Sequence, residues 1–334
     1  MITKVYEKVK QFIKENKIFV LVMFFITVSS YIPLPYYIYA PGGLVDVSDR
    51  FSIDDGHPSK GSFHMAYVSE YSATLPIYLL ALVKDDWDIT KKGEVVASNE
   101  TEEESMIRNK YLLEEANQDA VVNAFRYANK TYEITEEKLY ITYIDEKADT
   151  QLKINDQILK VDGRKVNSKK SLQNYLKTKE AGSIATFEVL RNEKKEIVTG
   201  KMLQMNGNTK IGIMITSLRT LKTDPKITFE FKESESGPSG GLMMSLAIYN
   251  QLIEEDITKG RKIAGTGTID AQGNVGQIGG IEYKIMGAEK ESADIFFAPS
   301  GKNYQDAKKI AKERDYHVKV VEVKTFDDAL KALK

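Results

Sequence analysis

The chain has 334 residues, 42% hydrophobic and 28% charged, which is enough for about two domains with cores of their own. Its formal net charge of −1 gives no electrostatic reason to expect nucleic acid as a partner. The lack of cysteine excludes disulfides and thiolate chemistry, and His57, His64 and His317 lie too far apart in sequence to predict a metal site. We therefore expect neither a metal nor a cofactor.

The N-terminal part combines a basic segment with an uncharged one. Residues 1–17 contain five lysines and two glutamates, whereas residues 18–40 contain no charged residue. Because a helix needs about 20 apolar residues to cross a bilayer, we predict a membrane anchor over residues 18–40 with its lysine-rich side in the cytoplasm. A cleaved signal peptide and a buried helix are the alternatives, but bulky Tyr39 before Ala40 favours a retained anchor. Residues from 41 onward are then expected outside the cell.

Between residues 41 and 133 the sequence predicts turns, one strand and two helices. Alternating apolar and polar residues indicate the strand, and apolar residues at helical spacing indicate the longer helix, whose stripe we interpret as core packing. In chain order we predict turns over 41–61, a strand over 62–69, a short helix over 75–84, a polar loop over 94–105 and a helix over 106–129.

Residues 134–203 have the pattern of a separate small module. Asp162 and Gly163 form a tight turn, and Ser168 has the position of a helix N-cap. The predicted elements are strands over 138–145, 157–161, 183–191 and 196–202 and a helix over 168–178.

This module resembles a PDZ domain, most closely in residues 152–158 and the following Val161-Asp162-Gly163. The family usually has Gly-Asp where this chain has Asn155-Asp156, and asparagine also tolerates a left-handed backbone. The resemblance implies a fold that accepts a peptide as an added strand at the edge of its sheet.

The details of peptide binding are expectations from the same resemblance. A glycine-containing loop that binds a peptide carboxylate should precede the first groove strand, but residues 135–140 contain no glycine. Ile141 and Leu172 are our candidates for apolar residues of the groove. The alternative is a small packing or spacer domain that binds no peptide.

The last segment, residues 204–334, alternates strands and helices. We predict strands over 211–216, 226–232, 263–270, 294–298 and 316–323, and helices over 240–254, 281–290, 303–314 and 324–333. The motif G-x-x-x-x-G-K-[ST] does not occur, so the chain shows no P-loop ATPase of its own.

A glycine-rich turn precedes the first of these helices and places Ser239 at or near its N-terminus. Unpaired backbone N–H groups at such an end can hold a developing oxyanion, with help from the helix dipole. Gly240 and Gly241 allow the backbone of a substrate to come close. The alternative is a serine N-cap with glycines that serve close packing.

A serine nucleophile needs a base, and a lysine serves when its amine is neutral. Residues 263–288 predict a strand, a turn, a second strand and then a helix that carries Lys284. Its neighbours Ile281, Ile285 and Met286 predict a buried helix face, and burial lowers the pKa of a lysine. The alternative is an exposed helix lysine.

Together the two segments resemble the Lon protease domain of family S16, which uses a Ser-Lys dyad. Residues 237–241 match its Gly-Pro-Ser-Ala-Gly nucleophile motif, with Gly240 in place of alanine. Residues 273–284 match its motif Gly-x-Val-x-x-Ile-Gly-Gly-Leu-x-x-Lys, with Ile281 in place of leucine.

The resemblance implies roles for three residues. Ser239 is the expected nucleophile, Lys284 the expected general base, and Thr266 the threonine that hydrogen-bonds the lysine amine. The chain departs from the family at Ser236, where an acidic residue is frequent, and at Thr268, where the family has glutamate.

The order of these parts resembles the membrane-anchored Lon-like PDZ proteases of Gram-positive bacteria. We accordingly predict an α+β fold in which a PDZ-like domain is inserted into a Lon-type protease domain behind a transmembrane helix. The predicted segments are a cytoplasmic basic segment (1–17), the anchor (18–40), the N-terminal part of the protease domain (41–133), the PDZ-like domain (134–203) and the catalytic part (204–334).

The same resemblance implies a function at the cell membrane. We expect a single-pass, ATP-independent serine endopeptidase with an extracellular catalytic domain that cleaves peptides or flexible protein segments, with a secreted signalling peptide as one candidate substrate. The non-enzymatic alternative is a surface adaptor that binds partners through its PDZ and Lon folds. The sequence does not indicate an oligomeric state.

Overall fold

The computed structural model describes most of the chain, with short gaps. The described residues are 2–95, 100–205, 207–232 and 235–334. Part of the predicted loop 94–105 therefore lies outside the described residues. The chain forms two compact units: the first contains Met1–Pro41 and Val68–Val95, and the second Gly42–Tyr67 and Val96–Lys334.

The fold is mixed α/β. In chain order, the α-helices of the described residues are α1 (Ile2–Glu15), α2 (Lys17–Ser29), α3 (Leu75–Ala81), α4 (Lys92–Val95), α5 (Glu102–Tyr127), α6 (Lys169–Leu176), α7 (Gly241–Leu252), α8 (Ile281–Lys290), α9 (Lys302–Glu313) and α10 (Phe326–Leu333). The strands are β1 (Pro33–Asp46), β2 (Phe51–Ile53), β3 (Ser62–Thr74), β4 (Asp88–Lys91), β5 (Thr131–Ile144), β6 (Gln157–Val161), β7 (Arg164–Lys165), β8 (Ile184–Arg191), β9 (Lys194–Lys201), β10 (Leu203–Met205), β11 (Asn208–Lys210), β12 (Ile213–Asp224), β13 (Ile227–Phe229), β14 (Lys262–Gly265), β15 (Thr268–Ile269), β16 (Val275–Gly276), β17 (Ile295–Pro299) and β18 (Lys319–Val323).

Only the first part of the predicted anchor segment, residues 18–40, is helical. Helix α2 ends at Ser29, and residues 33–40 belong to strand β1. Pro33 and Pro35 explain the change, because proline lacks the N–H that a helix interior needs, and the tyrosines and isoleucine that follow favour a strand. Among the described residues, no helix has the length and the apolar character needed to cross a bilayer.

The rest of the first unit has a small core of its own. Strand β4 pairs antiparallel with β1 from Tyr36 to Tyr39. The buried side chains of this core are those of Ile38, Ala73 and Ala81. Strand β4 was not predicted, because Asp88 and Lys91 flank only two residues with strand propensity.

In the second unit, the protease segment has helices on both faces of a parallel sheet. Strand β14 pairs in parallel with the start of β3 and with β17, which pairs in parallel with β18. Alternate residues of β17 point to opposite faces: Phe297 joins the core with α5, α7 and α10, and Phe296 joins the core with α8 and α9. Burial on both faces explains the uninterrupted apolar run of this strand.

The predicted helices of this segment are confirmed as α7 to α10, but the predicted strand over 263–270 is interrupted. Strand β14 ends at Gly265, and β15 begins at Thr268. Gly267 has a φ of 150°, and its N–H donates to the carbonyl of Ser239 at 2.8 Å instead of to a neighbouring strand. The predicted turns over 41–61 also contain the end of β1 and the short strand β2.

The PDZ-like part is an antiparallel sheet with strand order β12-β5-β6-β8-β9. Strand β12 was predicted over 211–216 and is longer, because it pairs with β5 as far as Asp224. Ile141 and Leu172, the expected groove residues, are 0% and 1% exposed and belong to the core of this sheet. That expectation was wrong, because β5, which carries Ile141, is an inner strand with partners on both sides, and Leu172 on α6 packs into the same core.

Helix α5 contacts both parts of the second unit. Thr101 and Glu104 form a capping box, so the helix begins earlier than the predicted residue 106. Asp119 forms an ion pair with Arg219 on β12, while the carbonyl of Asn109 accepts a hydrogen bond from the N–H of Gly237 at 3.0 Å. The helix therefore connects the PDZ-like sheet with the turn that precedes α7.

Candidate active site

Ser239 lies in the turn that leads into α7. Gly237 has a φ of 84°, a backbone conformation that glycine adopts without strain, and its N–H is held by α5 as described above. The N–H of Gly241 donates to the carbonyl of Pro238 at 3.2 Å, which closes the turn. The apolar residues that follow are buried along α7, so the helix is fixed and Ser239, which is only partly buried, stays at its N-terminal end.

Lys284 reaches Ser239 from α8. Its Nζ donates to Ser239 Oγ at 2.8 Å and to Thr266 Oγ1 at 3.0 Å. The residue is only 4% exposed, as the apolar neighbours in the sequence predict. Burial lowers the pKa of Lys284 from 10.5 to about 8, because the charged amine loses its hydration.

Thr266 orients both residues. Its hydroxyl donates its one proton to the carbonyl of Ser239 at 3.0 Å, so it can only accept from Lys284. An amine that gives one N–H to Thr266 has its lone pair available for the hydroxyl of Ser239 when it is neutral. The structure thus brings Ser239, Lys284 and Thr266 into one hydrogen-bonded group.

The two glycines after Ser239 have different surroundings. A Cβ at Gly241 would lie 3.0 Å from Ile269 Cγ2 and 3.3 Å from its backbone nitrogen, so any larger residue would force Ile269 to move by a few tenths of an ångström. A Cβ at Gly240 would meet only the flexible side chain of Met65, with Sδ at 2.8 Å. Met65 beside the candidate nucleophile was missed in the sequence, because nothing local connects β3 with this turn.

Two backbone donors lie next to the serine hydroxyl. Among the described residues, no group accepts a hydrogen bond from the backbone N–H of Ser239 or of Gly240. Both groups stand at the N-terminal end of α7, where the helix dipole favours negative charge. They are therefore suited to an oxyanion formed on a carbonyl that Ser239 attacks.

The histidines have other partners. His64 Nε2 lies 2.8 Å from Ser62 Oγ, and burial lowers the pKa of His64. His317 Nδ1 lies 3.1 Å from Glu289 Oε1, and the backbone N–H of His57 donates to the carbonyl of Gln251. Within the residues that the structure describes, no group of three His, Asp or Glu side chains is arranged to hold a metal ion.

A groove in the PDZ-like part lies at a different place from the one expected. Strand β12 is at the end of the sheet, and residues of β12 and of α6 line a cavity of about 760 Å³. Gly212, with a φ of 83°, lies just before β12. The lining includes Lys169, Leu176, Lys177, Ile213 and Ile215. A glycine-containing loop does precede the groove strand, but that strand comes after the module predicted from the sequence.

Comparisons with known proteins find two families, each in a different part of the second unit. Residues 232–334 match the family model of the Lon protease (S16) C-terminal proteolytic domain, and residues 118–201 match that of the PDZ domain. The chain is 34% identical over 97 residues to a Lon protease of Trichlorobacter lovleyi and 36% identical over 98 residues to one of Campylobacter concisus. In both cases the match covers 29% of this chain and 12% of the relative.

Solved structures of PDZ domains are also similar to part of the chain. The PDZ domain of an SdrC-like protein from Listeria innocua is 22% identical, with a TM-score of 0.22 and coverage of 23% of this chain and 92% of that one. The corresponding domain from Listeria monocytogenes is 22% identical, with a TM-score of 0.23 and coverage of 25% and 92%.

The two family matches concern separate parts of the chain. The chain combines a PDZ domain with a Lon-type proteolytic domain, and the latter supports a serine peptidase. Both domains together support a Lon-like PDZ protease.

Proposed function

We propose that the chain is a serine endopeptidase in which Ser239 is the nucleophile and Lys284 the general base. The observation that carries the proposal is the 2.8 Å contact between Lys284 Nζ and Ser239 Oγ at a lysine that is almost fully buried. Burial supplies the neutral amine that such a base needs near neutral pH.

The proposed reaction follows from this geometry. Neutral Lys284 accepts the hydroxyl proton of Ser239 while Oγ attacks the scissile carbonyl, and the backbone N–H groups of Ser239 and Gly240 stabilise the oxyanion. Lys284 then donates the proton to the leaving amine, and water hydrolyses the acyl-enzyme by the same route in reverse. Thr266 keeps the amine directed at Ser239 in both steps.

We propose that the substrate is already extended when it arrives. The sequence has no P-loop motif, so hydrolysis is expected without ATP, on extracellular peptides or flexible protein segments rather than on folded domains. A secreted signalling peptide fits this description.

The PDZ domain is proposed to hold part of that substrate. The groove between α6 and β12 has the two features that strand addition needs: a strand at the end of a sheet and an apolar floor with Leu176, Ile213 and Ile215. Lys177 and Lys210 in its lining favour a peptide with negative charge, a free C-terminal carboxylate included, whereas Lys169 is paired with Glu115.

We further propose that the protein is anchored at the cell surface of a Gram-positive bacterium, with residues from 41 onward extracellular. The support is the lysine-rich α1 followed by α2, whose apolar side chains are exposed along nearly its whole length. A helix that is apolar on all sides needs an apolar environment. Protease treatment of intact cells should release the C-terminal part, whereas protection until lysis would contradict the orientation.

The decisive test of the function compares the full-length wild type with Ser239→Ala, purified in detergent. Wild type should cleave a susceptible peptide in EDTA without nucleotide, and Ser239→Ala should lose nearly all turnover. Ser236→Ala, three residues earlier on an exposed position, is the matched control and should keep activity. If Ser239→Ala cleaves like the wild type, Ser239 is not the nucleophile and the proposal is wrong. If the wild type itself does not cleave, a non-catalytic adaptor becomes the better interpretation.

A further inference from the structure

The first unit has an exposed apolar surface that the peptidase does not use. It lies at the C-terminal end of α3 and in the turn that follows. Leu79, Leu80, Leu82 and Val83 are all exposed, Val83 by 75% and Leu82 by 60%. Single exposed apolar residues are common, but four within five positions form a patch that needs a partner.

This surface is close to α2. Helix α3 contacts α2 within the first unit, and the residues between α2 and β1 continue the apolar character, with Tyr31 83% and Ile32 55% exposed. The exposed apolar side chains of α2 and those of the α3 tip therefore belong to neighbouring elements of one unit.

Aromatic residues with polar ends surround the base of α3. The ring of Tyr78 on α3 lies 5.3 Å from that of Tyr36 on β1, and the ring of Tyr71 on β3 stacks on Trp87 at 6.0 Å. Tyrosine and tryptophan prefer the boundary between a bilayer and water, because their rings are apolar and their O–H and N–H groups remain hydrated.

The length of α2 gives a reason for this arrangement. Its 13 residues span roughly 20 Å, at 1.5 Å per residue, against about 30 Å for the hydrocarbon core. A short apolar helix therefore needs neighbouring apolar surface to fix its depth at one side of the bilayer.

We propose that the α3 tip, residues 79–83, inserts into the outer leaflet beside α2, so that the first unit rests on the bilayer at two points. The inference depends on the proposed membrane anchor and adds a second, independent lipid contact. Lipid is favoured over a protein partner because the apolar tip, the aromatic residues at its base and an adjacent apolar helix reproduce the layers of a membrane interface.

The chain is well suited to a direct test, because it has no cysteine and one tryptophan, Trp87. Full-length protein is reconstituted into vesicles of phosphatidylcholine and phosphatidylglycerol, with or without lipids that carry a doxyl quencher. Single cysteines labelled with the fluorophore NBD are placed at Val83 in the tip, at Phe24 in α2 and at Ile197. Ile197 is the matched control, because it is an apolar β9 residue with 76% exposure, close to that of Val83.

We expect the emission of NBD at Val83 and at Phe24 to shift to shorter wavelength in vesicles and to lose intensity with doxyl lipids. The emission at Ile197 should not change. Trp87 in the unlabelled protein should be quenched more by shallow than by deep doxyl positions. Quenching at Phe24 without quenching at Val83 would overturn the α3 contact and leave the anchor intact. Quenching at neither position would refute both the α3 contact and the anchor. A change of NBD emission at Val83 that depends on protein concentration, and not on the quencher, would indicate self-association and overturn the lipid contact. Peptidase activity shows that each labelled protein is folded.

Discussion

Replacement of Lys284 by methionine should abolish turnover and stabilise the protein at neutral pH. Methionine has a similar length but no charge, so it removes the base while it fills the same buried site. The pKa of Lys284 is about 8 in the folded protein, against 10.5 in the unfolded chain. Between pH 8 and pH 10.5 the lysine is protonated in the unfolded chain but neutral in the folded protein, so the free energy of unfolding rises with pH. The destabilisation by Lys284 is therefore largest below pH 8 and disappears above pH 10.5.

The size of the effect follows from the same pKa values. The fall from 10.5 to about 8 corresponds to about 3 kcal/mol of destabilisation at pH 7. Methionine leaves the hydroxyls of Ser239 and Thr266 without the amine, at about 1 kcal/mol each. We therefore expect the free energy of unfolding to rise by on the order of 1 kcal/mol at pH 7. At pH 11 the substitution should instead lower the free energy of unfolding, because the lysine of the wild type is then neutral in both the folded and the unfolded state.

The pH dependence of activity has the same origin. With a pKa of about 8, about a tenth of the enzyme has a neutral lysine at pH 7 and about nine-tenths at pH 9. The kcat/KM of the wild type should therefore rise about tenfold between these values and then level off, because it reports ionisation in the free enzyme.

The assays are peptide hydrolysis and urea unfolding followed by circular dichroism, at pH 7 and pH 11. Lys290→Met is the matched control, because Lys290 is an exposed residue of the same helix, and its substitution should change neither activity nor the pH profile. Substantial cleavage by folded Lys284→Met would refute the dyad. A kcat/KM that continued to rise to pH 10 would refute the lowered pKa.

Three further predictions concern the surroundings of the dyad and the PDZ core. Thr266→Val should lower kcat about 10- to 100-fold with little change in KM, because it removes the hydrogen bond that orients the Lys284 amine and the one that the hydroxyl donates to the carbonyl of Ser239. An unchanged kcat would show that Thr266 is dispensable. Gly241→Ala should reduce the rate of hydrolysis and the melting temperature, whereas Gly240→Ala should be tolerated because Met65 can move. A larger loss in Gly240→Ala than in Gly241→Ala would contradict the packing described. Leu172→Ala should reduce the free energy of unfolding by about 2–5 kcal/mol, as expected for a core leucine; a change near zero would place Leu172 on the surface.

The turn at Ser239 and the burial of Lys284 were predictable because their signals are local, whereas the grouping of Ser239, Lys284 and Thr266 came from the family resemblance. The glycines around Ser239 indicate a turn before a helix, and the apolar neighbours of Lys284 indicate burial, which the structure has. The break at Gly267 was not predictable, because it depends on a hydrogen bond to Ser239, far away in sequence. The same holds for Met65, whose contact depends on the packing of β3.

The main errors arose where distant segments pair. Residues 33–40 carry no charge, like residues 18–29 of the helix before them, but the prolines and the pairing of β1 with β4 make them a strand. Strand β12 follows the predicted PDZ-like module, so the sequence placed the groove next to β5 instead of β12. The domain boundaries at 133/134 and 203/204 stay predictions.

The long pairing of β5 with β12 has a practical consequence. Thr131 lies opposite Asp224 and Glu137 opposite Arg219, so the chain departs for the PDZ domain and comes back along adjacent strands. Opposite residues of an antiparallel pair are only about 5 Å apart. The domain is thus attached by a two-stranded stem, and cutting the stem at the level of Glu137 and Arg219 leaves two ends that a short Asn-Gly turn can join. Such a hairpin would keep the register of the stem and the ion pair of Arg219 with α5, and would yield the proposed peptidase without its PDZ-like domain.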